Sequence, residues 1–162
     1  MEIGGATAVI GIISVALFAL PFALDYRRRS RKRSEQLSAL QALALGKQCA
    51  IHQHEACGDD VLGLDTQRKM LFHLSEREGR TSTQVVPLAH VHTCQVARTE
   101  RGRKGAHEEN SIDRIELSFT SKVKSWPGAS ILLFNTSYGT PLNGELQFAE
   151  RWVGLVNGML KG

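Results

Sequence analysis

The sequence predicts an α+β protein with an N-terminal transmembrane helix, a set of short antiparallel β-strands and a C-terminal amphipathic helix. Three observations predict it. The chain opens with an uncharged apolar run, continues with short half-apolar segments separated by turn residues, and ends with an apolar stripe at helical spacing. Its 162 residues are a typical length for about one folded domain.

The apolar run occupies residues 3–24 and contains no charged side chain. As a helix that rises about 1.5 Å per residue it would extend roughly 33 Å, which exceeds a hydrocarbon core of about 30 Å. A cleaved signal peptide needs a basic N-terminal region and a shorter apolar stretch. We therefore expect residues 1–25 to be a transmembrane anchor. Small residues share one face of it (Gly4, Ala8 and Gly11), which is compatible with a homodimer.

The excess positive charge lies immediately after this run. The chain has a net charge of +4, and its basic excess is concentrated in a cluster formed by Arg27, Arg28, Arg29, Arg31, Lys32 and Arg33. Basic residues that flank one end of a span predict an inner (plasma) membrane protein with its N-terminus outside and its C-terminal domain cytoplasmic. They are also expected to attract anionic inner-leaflet lipids. A nucleic-acid-binding domain would instead spread such residues over a folded face, so no nucleic-acid partner is expected.

Three regions follow from these patterns. Residues 1–25 form the anchor, residues 26–47 a basic juxtamembrane segment and helical stalk that ends at Gly46, and residues 48–162 a cytoplasmic domain. In that domain, period-2 alternation predicts strands over residues 49–57, 61–65, 69–74, 83–88, 91–99, 112–120 and 129–135. A final helix is predicted with Thr140 as its N-cap and Pro141 as its first residue.

Four segments carry a resemblance to a known group: VLGLDTQRKMLFHL (61–74), VVPLAHVHTCQVART (85–99), IDRIELSF (112–119) and PLNGELQFAERWVGLVN (141–157). They resemble small bacterial single-pass membrane proteins with a cytoplasmic domain like the pleckstrin-homology (PH) fold, an uncharacterised group. The resemblance implies a PH-like antiparallel split barrel closed by the C-terminal amphipathic helix. It implies a fold and a placement, but no reaction.

Two segments are rich in metal-ligand residue types: CAIHQHEAC at 49–57 and HVHTC at 90–94. On a strand, Cys49 and Cys57 would project to one face and His52 and His54 to the other, so these four would not converge on one ion. In the second segment, His90, His92 and Cys94 would share a face. A metal- or redox-linked protein that uses both segments is therefore the alternative interpretation.

Sequence motifs of common enzyme classes are missing: the chain has no G-x-S-x-G, P-loop, G-x-G-x-x-G or H-E-x-x-H. We therefore assign no catalytic, cofactor-binding or metal-binding residues. The predicted function is a membrane-anchored cytoplasmic binding or scaffolding module, not an enzyme, with the membrane and a protein as expected partners.

Overall fold

The computed structural model describes residues 3–101 and 111–162, and the side chains of residues 19–100 and 112–162. Helix α1 spans Ile3–Gly46 and helix α2 spans Glu145–Lys161. The strands between them are β1 (Gln53–Cys57), β2 (Asp60–Asp65), β3 (Met70–Arg77), β4 (Arg80–Pro87), β5 (Val91–Arg101), β6 (Ser111–Ser121) and β7 (Ala129–Asn135). The chain divides into two compact units, Met1–Ser38 and Ala39–Gly162.

The prediction of a transmembrane anchor is not supported by the side chains that the structure describes in the N-terminal helix. Among the residues whose side chains the structure describes, no helix is long and apolar enough to cross a membrane. The described side chains of α1 start at residue 19 and soon include charged ones, beginning with an exposed ion pair of 3.0 Å between Asp25 and Arg29. The transmembrane anchor over residues 1–25, the single-pass topology and the inner-membrane location are therefore wrong as far as these side chains extend. The rest of the predicted span, with its Gly4, Ala8 and Gly11 face, lies outside the described side chains.

The predicted split barrel is also wrong, although the α+β content is observed. The strands form two antiparallel sheets, one in the order β1-β2-β3-β4 and one in the order β5-β6-β7, and the described strands do not close into a barrel. The chain leaves the first sheet at Pro87, which has no N–H group with which to extend the ladder. A 3-10 turn over Leu88–His90 then leads into the second sheet.

A tight hairpin joins β3 to β4 where the sequence suggested a longer polar loop. The central residues Glu78 and Gly79 both have positive φ values, 52° and 72°, and Arg77 pairs directly with Arg80. Positive φ at both central positions matches the right-handed twist of the flanking strands. The hairpin therefore extends both strands beyond their predicted ends and places polar residues on the sheet.

The centre of the first sheet, formed by β2 and most of β3, is buried on both faces. One face meets α2 and the second sheet in the main core, which includes Leu62, Leu64, Leu71, Ile115, Leu117, Phe148 and Trp152. The other face packs Phe72 and Leu74 against Leu40 and Ala44 from the last turns of α1. This explains why every residue of β2 is buried, where the sequence predicted one buried face.

Gly63 in β2 shows how closely the sheet and the last turns of α1 approach each other. A Cβ atom at residue 63 would lie 2.6 Å from Cδ2 of Leu40 and 3.1 Å from Cδ1 of Ile51. Since real Cβ contacts are longer, the absence of a side chain is what allows this contact.

A single carboxylate organises the turn between β2 and β3. Asp65 Oδ1 accepts hydrogen bonds from the backbone N–H groups of Gln67 and Arg68, and Oδ2 accepts one from Ala50, all at 2.9 Å. Burial opposes ionisation of this group. The backbone donors outweigh burial, however, and lower the pKa of Asp65 below its usual value.

The C-terminal helix begins later than the sequence predicted. Gly144 precedes it in a left-handed conformation with φ of 91°, so Thr140 and Pro141 lie outside the helix. The 3-10 turn Thr136–Tyr138 and the left-handed Gly139 occupy the preceding segment. From Glu145 onwards the predicted apolar stripe is observed, with Phe148, Trp152 and Val156 buried in the main core.

Candidate functional site

Four polar side chains interrupt the core-facing side of the first sheet at one end. His73, Ser75 and Arg77 follow Leu71 at every second position of β3, so they lie on the face that Leu71 buries in the main core. Asp60 is the register partner of Ser75 on β2 and therefore lies on the same face. The apolar core ends at these residues, and an opening into the domain begins there.

Asp60 holds two of these side chains in place. Its carboxylate is almost fully buried, with 2% of the residue exposed. Oδ1 lies 2.8 Å from Nε2 of His73, and Oδ2 accepts a short hydrogen bond from Nη2 of Arg77. Since a buried charge is tolerated when it is paired and hydrogen-bonded, Asp60 and Arg77 stabilise each other at this depth.

Arg77 links the two sheets. Its Nη2 also donates to the backbone carbonyl of Leu133 on β7 at 2.8 Å. Leu133 is the extra residue of a β-bulge, because Ile115 pairs with Phe134 whereas Glu116 pairs with Leu132. A bulge residue is left out of the ladder, which frees its carbonyl for the guanidinium. The guanidinium also stacks on the ring of Tyr138, 4.4 Å from the ring centroid.

Ser75 stands out within this group. Its Oγ is buried without a hydrogen-bond partner among the described residues, and 6% of the residue is exposed. A buried hydroxyl in that state costs about 1–3 kcal/mol, and folded proteins leave few of them. An orphaned hydroxyl beside a fixed guanidinium is the expected geometry of a site that is completed by a bound molecule.

Two clefts open on either side of Arg77, and both include Glu78 and Tyr138. The acidic cleft, of about 460 Å³, is lined by Gly58, Asp59, Asp60, Arg77, Glu78, Leu133, Phe134, Tyr138, Thr140, Pro141, Asn143 and Glu145. The Ser75 cleft, of about 340 Å³, is lined by His73, Ser75, Arg77, Glu78, Arg80, Ser82, Gln84, Ser130, Leu132 and Tyr138. Both volumes fall in the range of about 300–1,000 Å³ that is usual for small-molecule sites.

The Ser75 cleft lies between β4 and β7, which are edge strands of their sheets. Two side-chain bridges cross this gap. Nε2 of Gln84 donates to the carbonyl of Ser130 at 3.1 Å, and Nη2 of Arg77 donates to the carbonyl of Leu133. The bridges fix the spacing of the two edges and favour a compact ligand over an added β-strand.

The Cys and His residues of the 49–57 segment do not converge. Cys49 packs with the cluster around Leu40, whereas Cys57 packs against the main core. His52 Nδ1 accepts from the backbone N–H of Thr66 at 3.3 Å, and His54 is exposed on β1. In the parts of the chain that the structure describes, no group of three or more His, Cys, Asp or Glu residues could hold a metal ion.

The second segment, 90–94, differs from its predicted arrangement because of another bulge. Val91 pairs with Ser121 and Thr93 with Thr120, which leaves His92 as the extra residue and shifts the alternation. His92 is consequently exposed, whereas Cys94 is 1% exposed in the main core. His90 lies in the preceding 3-10 turn, with its ring 6.2 Å from that of Trp126. The shared face predicted for these three residues is wrong.

The thiols are expected to react slowly in the folded protein. Burial raises the pKa of Cys57 to about 11 and that of Cys94 to about 12. Since the thiolate is the nucleophile, only about one in a thousand Cys57 thiols is reactive at pH 8, and the rate should rise with pH towards about 11. Iodoacetamide labelling followed by mass spectrometry measures this, with the urea-unfolded chain as control. Labelling of Cys57 or Cys94 at the unfolded rate at pH 8 would contradict the expectation.

The polar cluster itself was not predicted. Asp60 lies between the strands predicted at 49–57 and 61–65, and Ser75 and Arg77 lie between those predicted at 69–74 and 83–88. The available signal was the continuation of period 2 through His73, Ser75 and Arg77 with polar side chains. Recognising its meaning required the pairing of Asp60 with Ser75, which only the register provides.

Comparisons with protein-family models, curated proteins and solved structures find no match for this chain. The resemblance to bacterial single-pass proteins, the homodimer and the attraction of anionic lipids to the basic cluster all stay predictions. The function must accordingly be inferred from the clefts and their chemistry.

Proposed function

We propose that residues 39–162 act as a binding module whose ligand is a small polar molecule seated in the Ser75 cleft. The observation that carries this proposal is the buried, unpartnered Ser75 hydroxyl beside an Arg77 side chain that is already fixed by Asp60 and Leu133. A preorganised site loses little side-chain entropy on binding, which favours affinity.

The same geometry favours binding over catalysis. A serine nucleophile needs a hydrogen bond to a general base, and Ser75 Oγ makes none to His73 within the described residues. Nε2 of His73 is directed at Asp60 instead. The thiols, with pKa values raised by burial, are poor nucleophiles at neutral pH.

A thermal-shift screen of small polar metabolites against the full chain tests the proposal. We expect at least one compound to raise the Tm of the wild type, since a ligand that binds only the folded state stabilises it. The variant Ser82→Trp places a large ring on the wall of the cleft and should abolish that shift. Thr83→Trp is the matched control, because Thr83 is an exposed neighbour on the opposite face of β4.

The proposal is wrong if no compound stabilises the protein. It is equally wrong if every stabilising compound acts as strongly on Ser82→Trp as on Thr83→Trp, because the ligand would then bind elsewhere. Tm values of both variants without ligand establish that each is folded before the comparison is made.

A further inference from the structure

We infer that the ligand of the Ser75 cleft presents an oxyanion, a carboxylate or a phosphate group, to Ser75, Arg77 and Arg80. This inference rests on the proposed function and specifies the chemistry of the same site. It follows from the donors that remain available in the cleft, from the charge of its walls and from the depth of the serine hydroxyl.

Arg77 retains hydrogen-bond donors that its contacts within the described residues do not use. In the described part of the chain it makes its two hydrogen bonds through Nη2. A guanidinium carries five N–H donors, so Nε and Nη1 can donate to a further acceptor. The side chain is 20% exposed and therefore reachable from the cleft. Its planar fork matches the oxygen spacing of carboxylate and phosphate groups.

The charge of the walls separates the two clefts. The Ser75 cleft is lined by Arg77, Arg80 and one acidic residue, Glu78. Because Arg77 already pairs with Asp60, Arg80 is the basic wall residue whose charge is not offset by the buried carboxylate. Across Arg77, the acidic cleft adds Asp59 and Glu145 to Glu78 and Asp60. The Ser75 cleft therefore carries less negative charge than the acidic cleft, so of the two it is the one that favours an anion.

The depth of Ser75 strengthens the assignment. A hydroxyl can donate to an anionic oxygen, and such a charge-assisted hydrogen bond is stronger than a neutral one. Because Ser75 Oγ is buried, water competes poorly for it. Two further polar wall residues, Ser82 and Gln84, lie on the same face of β4 as Arg80 and can hold the rest of a polar ligand.

The test titrates the full chain with inorganic phosphate, with acetate and with methylammonium at constant ionic strength, and follows amide signals by NMR. We expect phosphate or acetate to shift the signals of β3 and β4. The arm with the tighter dissociation constant identifies the oxyanion. Both Arg80→Gln and Ser75→Ala should weaken that binding by about tenfold or more. Arg114→Gln, an exposed arginine on β6 outside the cleft, removes the same charge and should leave the affinity unchanged.

Ser75→Ala is a favourable variant because it removes an unsatisfied buried group, so its fold should be retained or stabilised. Equal weakening by Arg114→Gln would reveal a diffuse charge effect and overturn the inference. Shifts caused by methylammonium alone, or no shift with either anion, would also overturn it. If a metabolite stabilises the wild type but not Ser82→Trp, the cleft still binds a ligand, of other chemistry. Failure of the oxyanion inference can therefore be distinguished from failure of the proposed binding function.

Discussion

Replacing Asp60 with asparagine is expected to lower the free energy of unfolding by about 3 kcal/mol. The isosteric change keeps the shape of the side chain but removes its negative charge. That charge pairs with Arg77 and strengthens the hydrogen bond between the carboxylate and His73. Loss of one partner of a buried ion pair typically costs about 3–5 kcal/mol. The lower end applies because Arg77 is 20% exposed and water can solvate it in part.

Urea unfolding of the wild type and of Asp60→Asn measures this difference in the free energy of unfolding. The matched control is Glu116→Gln, which breaks an ion pair with Arg114 on β6, a pair whose side chains are 47% and 20% exposed. Such a surface pair should contribute less than about 1 kcal/mol. If Asp60→Asn costs no more than Glu116→Gln, the buried network does not organise this end of the sheet.

The second large effect is expected at the end of α1, where Leu40→Ala should cost about 2–5 kcal/mol. Leu40 is 0% exposed and packs with Phe72 on the outer face of the first sheet. Its Cδ2 atom lies over Gly63, only 2.6 Å from where a Cβ atom of residue 63 would stand, so no side chain at that position can fill the gap left by truncation. The cavity should therefore persist, which adds to the lost transfer free energy.

Leu45→Ala is the matched control, because Leu45 belongs to the same helix but is 75% exposed. Its effect should stay within about 0.5 kcal/mol. The sequence assigned both residues to a helical stalk over residues 26–47. Equal unfolding free energies for the two variants would contradict the packing of Leu40 in the core of the folded domain.

Sequence patterns located best the strands and the helix that bury a single face, because the spacing of apolar residues within the segment is then enough to identify them. Strands β6 and β7 alternate in burial, and α2 has a wide apolar stripe, so period alone finds them. The burial of β2 on both faces could not be predicted in this way. It depends on the packing of Leu40 and Ala44, from the last turns of α1, against the sheet, and these contacts join residues that are distant in the chain.

The candidate site was missed for a related reason. Ser75 and Arg77 lie beyond the strand end predicted at residue 74, because Glu78 and Gly79 form a hairpin turn in which a non-glycine residue adopts a positive φ. Turn signals of that type normally carry asparagine or aspartate at the first position. The bulges at His92 and Leu133 likewise have no clear sequence mark. The first separates His92 from Cys94, which were expected to share a face, and the second supplies the carbonyl that fixes Arg77.

The two bridges to β7 also bear on how the protein behaves at high concentration. An edge strand with unpaired carbonyl groups can recruit a strand from another molecule and so begin aggregation. On β7, the carbonyls of Ser130 and Leu133 already accept hydrogen bonds from Gln84 and Arg77 of the same chain. The contacts that shape the cleft thus also protect this edge, and losing them would expose a template for self-association.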